Sequence, residues 1–97
     1  MNYSFHTTAR IEFIEAVAYY EECRDGLGLE FSREVYSSIN RITTFPKAWS
    51  ELSEDTRRCL TIRFPYGLIY QILDNEILII AVTQLNREPG YWESRLK

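Results

Sequence analysis

The side chains most able to carry chemistry in this chain are arginines and aromatic residues of its second half. A guanidinium binds phosphate oxygens through paired hydrogen bonds, and an aromatic ring stacks on an unpaired base. Arginine, tyrosine and tryptophan are also the types most enriched at energetic hot spots of protein interfaces. The group therefore predicts a phosphate site, a protein-binding surface, or a purely structural set that packs the C-terminal tail. Its members are Arg57, Arg58, Arg63, Tyr66, Arg87, Tyr91 and Trp92.

Other common site chemistries lack the residues that they require. His6 is the only histidine, which excludes two-histidine acid–base cleavage of a phosphodiester. Gly26 and Gly28 stand between two predicted helices, whereas a phosphate-binding loop joins a strand to a helix. Cys23 and Cys59 are far apart and form no Cys-x-x-Cys pattern, so they predict neither a zinc site nor a disulfide framework. We expect no metal and no cofactor.

Length and charge limit the class of protein further. A chain of 97 residues, 45% of them hydrophobic, is expected to form one compact domain over residues 1–97. A net charge of -3 argues against a surface that binds nucleic acid over its whole extent, although residues 56–73 carry three arginines and no acid. No apolar run approaches the roughly 20 residues that a membrane span needs. We therefore expect a soluble, cytoplasmic protein.

The first half of the chain predicts two helices. Thr7 or Thr8 offers a capping hydroxyl to the first helix, which the glycines of 25–28 end. The second helix starts at about Glu30 and carries apolar residues every three to four positions until Pro46. So short a loop places the two helices antiparallel. The apolar stripe of the first helix is expected to contain Phe13, Ile14, Val17, Ala18 and Tyr20.

The remaining elements follow a strand period. A short strand over 2–6 precedes the helices, and three more are predicted from Arg57, over 68–73 and over 77–82. The last of these is apolar on both faces, as in a central strand that the helices cover on one side and that is partly covered on the other. The predicted order is β-α-α-β-β-β, an α+β fold with a helical hairpin on one face of a small, mainly antiparallel sheet. We expect Phe31, Ile39, Ile62 and Ile79 in its core, with Ile62 and Leu60 on one face of their strand.

The chain resembles the RelE/ParE superfamily of type II toxins over nearly its whole length. In the second half the resemblance rests on Arg57-Arg58, Arg63-Phe64-Pro65-Tyr66-Gly67-Leu68-Ile69-Tyr70, Ile80-Ala81-Val82, and Asn86-Arg87-Glu88-Pro89-Gly90-Tyr91-Trp92 with Arg95. In the first half it rests on Ala9, Glu12, Tyr19-Tyr20, Gly26-Leu27-Gly28, Phe31, Ile42 and Pro46.

The resemblance implies a small toxin that arrests growth unless a cognate antitoxin binds it. Toxins of the RelE branch cleave mRNA in the ribosomal decoding site without a metal, whereas those of the ParE branch poison DNA gyrase. Because the branches share a fold, the fold alone does not choose between them. A detoxified remnant that only binds its partner is the third alternative, and a homodimer is compatible with the sequence.

Residue by residue, Arg87 matches a basic position of the nuclease branch, and Tyr91 approximates its tail aromatic. Arg63 stands in for a basic residue on the first hairpin strand. Gly67 and Thr61 occupy positions where that branch has cations. The resemblance thus implies Arg63, Arg87 and Tyr91 as the catalytic set of a nuclease. Arg57, Arg58, Tyr66 and Trp92 are expected to contribute to binding.

Overall fold

The computed structural model describes residues 1–53 and 55–97, in which two helices pack on one face of a five-stranded sheet. The elements are β1 (Asn2–Phe5), α1 (Thr7–Cys23), α2 (Leu27–Thr44), β2 (Ser50–Ser53), β3 (Thr56–Leu60), β4 (Tyr66–Leu73) and β5 (Glu76–Gln84), followed by a 3-10 turn at Glu93–Arg95. The order in the sheet is β1-β5-β4-β3-β2, with β1 parallel to β5 and the other neighbours antiparallel. This confirms the predicted α+β class and its helical hairpin.

The helix ends differ from the predicted ones. The α1 cap is His6, whose Nδ1 accepts a hydrogen bond from the Thr8 N–H at 3.1 Å, so the predicted threonine cap is wrong. Helix α2 begins at Leu27, three residues early, because Gly26 adopts a left-handed φ of 86° that lets the chain turn at once. Gly28 brings the helices close together, since a Cβ there would lie 2.7 Å from the Val17 carbonyl oxygen.

The buried face of α1 matches the predicted stripe only in part, since Phe13, Val17 and Tyr20 pack in the main core as expected. Ala9, Phe13 and Ala16 are buried, and Ile14 is 57% exposed. The expectation that Ile14 and Ala18 face the core is therefore wrong. Helix α1 thus buries two alanines beside Phe13 and leaves the larger Ile11, Ile14 and Tyr19 exposed.

The sheet is covered on both faces. Phe31, Ile39 and Ile79 belong to the main core between helices and sheet, as predicted. On the other face Ile69, Leu78, Ile80 and Ala81 form a smaller cluster under the tail residues Tyr91, Trp92 and Leu96. All residues from 77 to 82 are buried, which confirms the prediction of a strand covered from both sides.

The faces of β3 are reversed relative to the prediction. Cys59 and Thr61 are buried, whereas Leu60 is 46% and Ile62 75% exposed, so the assignment of Ile62 to the core is wrong. Thr61 tolerates burial because its hydroxyl lies within hydrogen-bond distance of the Phe64 carbonyl at 2.7 Å. Ile62 lies beyond the end of the strand, where the chain bends and its side chain turns outward.

Two further features position the site. Strand β2, which the sequence did not predict, is an exposed polar edge strand paired with β3. Strand β5 contains a bulge: Tyr70 pairs with Ile79 and Ile69 with Ala81, so Ile80 is the extra residue. Strand β1 ends opposite Ile79, so no strand within residues 1–53 and 55–97 pairs with the second half of β5 on that side.

Candidate functional site

The candidate site lies where β5 runs on past the end of β1. Glu12 of α1 and Arg95 of the tail take the place of a strand there. The Val82 N–H donates to Glu12 Oε1 at 3.1 Å, and Arg95 Nη1 donates to the Ile80 carbonyl at 3.0 Å. The Ile80 carbonyl at the bulge and the Val82 N–H therefore both have hydrogen-bond partners, as buried backbone groups require.

Glu12 is the centre of this arrangement. Arg95 donates to its two carboxylate oxygens through Nη1 and Nη2, each at 3.0 Å, and the Tyr91 hydroxyl donates to Oε2 at 2.7 Å. The side chains of Glu12 and Arg95 are each only 12% exposed. A planar guanidinium that donates two hydrogen bonds to one carboxylate forms the strongest kind of ion pair. The hydrogen bond to Glu12 also raises the pKa of Arg95. The tail is thus tied to α1 by one carboxylate.

Arg87 is the member of the cluster that reaches solvent. Its guanidinium lies 3.9 Å from the centre of the Tyr91 ring, its Nη1 is 4.0 Å from Glu12 Oε2, and its side chain is 55% exposed. Burial raises the pKa of Tyr91, and the hydrogen bond to Glu12 adds to the rise. The phenol therefore stays protonated at neutral pH, where it donates a hydrogen bond and does not act as a base.

Arg87 also lies between two grooves. The first, of about 300 Å³, lies between the tail and the helix-free face of the sheet, and is lined by residues that include Arg58, Ile69 and Trp92. The second, of about 330 Å³, lies between α1 and the end of β5. Arg58, Arg87, Tyr91 and Trp92 of the predicted group therefore share the first groove.

Arg63 lies elsewhere. Its Nη2 donates to Glu30 Oε1 at 2.7 Å near the start of α2, and this bond lowers the pKa of Glu30. Glu12, in contrast, lies about 16 Å along α1 from the end that leads into α2, at 1.5 Å per residue. Arg63 and Arg87 thus lie beside carboxylates of different helices and line different grooves, so the structure does not bring them together.

Arg57 and Tyr66 have structural partners. Arg57 donates through Nη1 to the carbonyls of Lys47 at 3.2 Å and Trp49 at 2.9 Å, which ties the segment before β2 to β3. The Tyr66 ring packs in the main core, 4.9 Å from the ring centre of Phe31. Tyr66 also lines the second groove, and Gln84 Nε2 donates to its hydroxyl at 3.4 Å.

Glu12 and Arg95 were absent from the predicted site, although both belong to the residues that carry the resemblance. The available signal was weak, because Glu12 is one of four acids on α1 and only its pairing with a tail arginine distinguishes it. Among the described residues no group of three histidines, cysteines or acids is close enough to hold a metal ion. No helix within the described ranges is long and apolar enough to cross a membrane.

The fold is similar to that of a chain in the chromosomal ParDE TA (toxin–antitoxin) system from P. aeruginosa, with a TM-score of 0.72 and 12% sequence identity. The match covers 87% of this chain and 95% of that chain. No family model and no curated protein sequence matches the chain. At 12% identity the likeness shows the fold and not the activity, and it confirms the RelE/ParE-like fold that the resemblance predicted.

Proposed function

We propose that this chain is the toxin of a type II toxin–antitoxin system, that a cognate antitoxin holds it inactive, and that the free toxin arrests growth by binding DNA gyrase. The fold shared with the ParDE system supports the toxin part. The observation that carries the choice of target is the position of Glu12. Its carboxylate binds Arg95 and Tyr91 inside the cluster that a nuclease would direct at phosphate.

A nuclease needs several cations around the scissile phosphate, and few are available here. Arg95 is neutralised by Glu12, and Arg63 is paired with Glu30. Gly67 brings no charge where the nuclease branch has one. Loss of one such donor commonly costs about 100- to 1,000-fold in rate. Binding to a protein target places no such demand on the cluster.

The outer face of α1 supplies a surface for a protein target. Ile11 is 49% and Ile14 57% exposed, at helical spacing on the same side. Exposed apolar side chains of this size mark protein interfaces when they lie together. We assign the gyrase contact to this face together with the tail.

A supercoiling assay with purified gyrase tests the proposal. We expect dose-dependent loss of supercoiling at micromolar toxin, and loss of that inhibition in Ile14→Arg. Asn75→Arg, in the exposed turn between β4 and β5, makes the same change of charge and is the matched control that keeps the inhibition. Intact supercoiling with folded wild-type protein would reject gyrase as the target. Equal inhibition by Ile14→Arg would reject the assigned face.

A ribosome-dependent mRNA endonuclease that uses Arg63, Arg87 and Tyr91 is the second candidate. It is favoured by the stacking of exposed Arg87 on Tyr91 beside a groove that also holds Arg58 and Trp92. Its test is cleavage of a defined mRNA in a bacterial translation extract, with and without ribosomes. A nuclease would cut the message, and Arg87→Ala would abolish cutting without unfolding. A chain that leaves mRNA, gyrase and growth unaffected would be a partner-binding remnant.

A further inference from the structure

Strand β1 forms one of the two edges of the sheet, and it lacks the features that keep a sheet edge from pairing. In the part of the chain that the structure describes, no strand lies on the side of β1 away from β5. Its register with β5 is regular from Asn2 to Phe5, and all but Phe5 of its residues are exposed. Residues 1–9 contain no aspartate, glutamate, lysine or arginine. An uncharged and regular edge strand is a template for another strand.

The opposite edge of the sheet, strand β2, is protected. It carries the charged Glu51, and a bulge between Glu51 and Ser53 interrupts its pairing with β3. Charged side chains and bulges on an edge strand oppose pairing with a further strand. Of the two edges, β1 is therefore the one that is open to a partner.

The backbone groups that β1 presents to a partner follow from its bonds to β5. The His6 N–H donates to the Ile79 carbonyl at 2.9 Å, and His6 therefore points towards β5. Since the backbone groups of successive strand residues point to opposite sides, Ser4 also points towards β5, whereas Tyr3 and Phe5 point outward. Each of these two residues offers one N–H donor and one carbonyl acceptor on the outer side.

We propose that β1 pairs with the β1 strand of a second copy of this chain, antiparallel to it about a two-fold axis at Ser4. Tyr3 of each copy then lies opposite Phe5 of the other copy, and each such pair exchanges two backbone hydrogen bonds. Ser4 lies opposite Ser4 at the axis, where no backbone bonds are needed because its own groups point to β5. The outward groups of β1 are thus complementary to themselves, as a two-fold interface requires.

Side chains and charge also favour a second copy as the occupant. Tyr3 and Phe5 lie on the same face of β1, with ring centres 6.1 Å apart, so the two-fold pairing joins four aromatic side chains on one face. Aromatic cross-strand pairs stabilise a sheet. The nearest acid on the neighbouring strand is Glu76, opposite Asn2 on β5. Three strand spacings, or about 14 Å, separate it from Glu76 of the second copy, so screening leaves little repulsion.

Cysteine cross-linking tests the proposed register. In a Cys23→Ser background, which removes the exposed native thiol, Ser4→Cys places two thiols at the axis. The Cα atoms of such a pair lie about 4.5 Å apart, within reach of a disulfide, so mild oxidation gives a covalent dimer. Asn2→Cys is the matched control, since Asn2 is exposed on the same face of β1. It lies about 13 Å along the strand from Asn2 of the second copy and stays monomeric.

Hydrogen exchange measured by NMR tests the pairing without any cross-link. The Tyr3 and Phe5 amides become protected as the protein concentration rises to about 1 mM, a range suited to the weak association of a small interface. The Ser4 amide is protected at every concentration because it points to β5. Tyr3→Lys, which adds a charge to the edge, removes the concentration dependence. Leu52→Lys, at the same 41% exposure on β2, leaves it unchanged.

Three outcomes would overturn the proposal. One is rapid exchange of the Tyr3 and Phe5 amides at every concentration. Another is equal cross-linking of Ser4→Cys and Asn2→Cys, which would mean that the copies meet in no fixed register. The third is association that Leu52→Lys removes and Tyr3→Lys does not, which would assign the contact to β2. Far-UV circular dichroism confirms that the variants are folded. These readouts do not involve gyrase or growth, so failure here and failure of the proposed function are distinguishable.

Discussion

Replacement of Glu12 by glutamine is expected to release the C-terminal tail and to destabilise the fold strongly. The glutamine oxygen replaces one acceptor, but its amide nitrogen donates and therefore faces a guanidinium donor of Arg95 in either orientation of the amide. The Arg95 side chain, which is only 12% exposed, would then lack its negatively charged partner. Breaking such a pair from one side costs about 3 to 5 kcal/mol when it is fully buried.

The structure favours the lower end of that range. Arg95 keeps its bond to the Ile80 carbonyl at 3.0 Å, and its remaining exposure admits some water. We therefore expect Glu12→Gln to lower the free energy of unfolding by about 3 kcal/mol. This is a large part of the roughly 5 to 15 kcal/mol that stabilises an ordinary domain.

Urea unfolding followed by far-UV circular dichroism measures this loss, and limited trypsin digestion after Arg87 reports release of the tail. Glu15→Gln is the matched control, because it removes the same charge from an exposed position of the same helix. Its cost should stay within about 0.5 kcal/mol. In a double-mutant cycle Glu12 and Arg95 should show strong coupling. A cost of Glu12→Gln no larger than that of the control, with an equally protected tail, would refute the account of the cluster.

Five more variants test the packing and its pH dependence by urea unfolding. Ile39→Ala should lower the free energy of unfolding by about 2 to 5 kcal/mol. Ile62→Ala, at a 75% exposed position, should lower it by less than about 0.5 kcal/mol. Similar losses in the two variants would contradict the exposed position of Ile62. Gly28→Ala should cost about 1 to 3 kcal/mol because its Cβ meets backbone at 2.7 Å, whereas Gly67→Ala, whose nearest neighbour is a flexible side chain at 3.4 Å, should be tolerated. Burial raises the pKa of Tyr70 from 10.0 to about 12, so the neutral phenol stabilises the fold below pH 10 and this stability is lost as the pH rises towards 12. The free energy of unfolding should fall by about 2 kcal/mol over this pH range, and this fall should be absent in Tyr70→Phe. The same fall at alkaline pH in Tyr70→Phe would show that Tyr70 is not its source.

The sequence predicted the elements whose signal is local. Helix α2 has apolar residues at helical spacing, and strand β5 is a continuous apolar run. Pro46 and Gly26 limit the length of α2 because of their backbone conformations. The strand β2 could not be predicted because its residues are polar and exposed, and only pairing with β3 makes them a strand. Ile62 was assigned to the core because a hydrophobic pattern favours burial of an isoleucine over burial of the neighbouring polar Thr61. The hydrogen bonds that allow Thr61 to be buried form only after the chain has turned.

The candidate site was predicted in part for the same reason. Arg87, Tyr91 and Trp92 lie close together in the tail, so proximity in sequence already suggested a cluster. Glu12 is 70 to 83 positions away from the residues that it binds, and nothing in its local sequence separates it from the other acids of α1. Arg63 was placed with Arg87 because the resemblance implied that both take basic positions of the nuclease branch. The structure shows that Arg63 instead pairs with α2.

The most direct test of the central claim is the topology of a reporter plasmid in bacteria that express this chain without an antitoxin. The account predicts that the plasmid loses negative supercoiling before growth stops, while cellular mRNA stays intact, and that Ile14→Arg removes both effects. Growth arrest with normal supercoiling and ribosome-dependent mRNA cuts would contradict it and assign the chain to the nuclease branch. Uninterrupted growth with normal supercoiling would contradict the toxin activity itself.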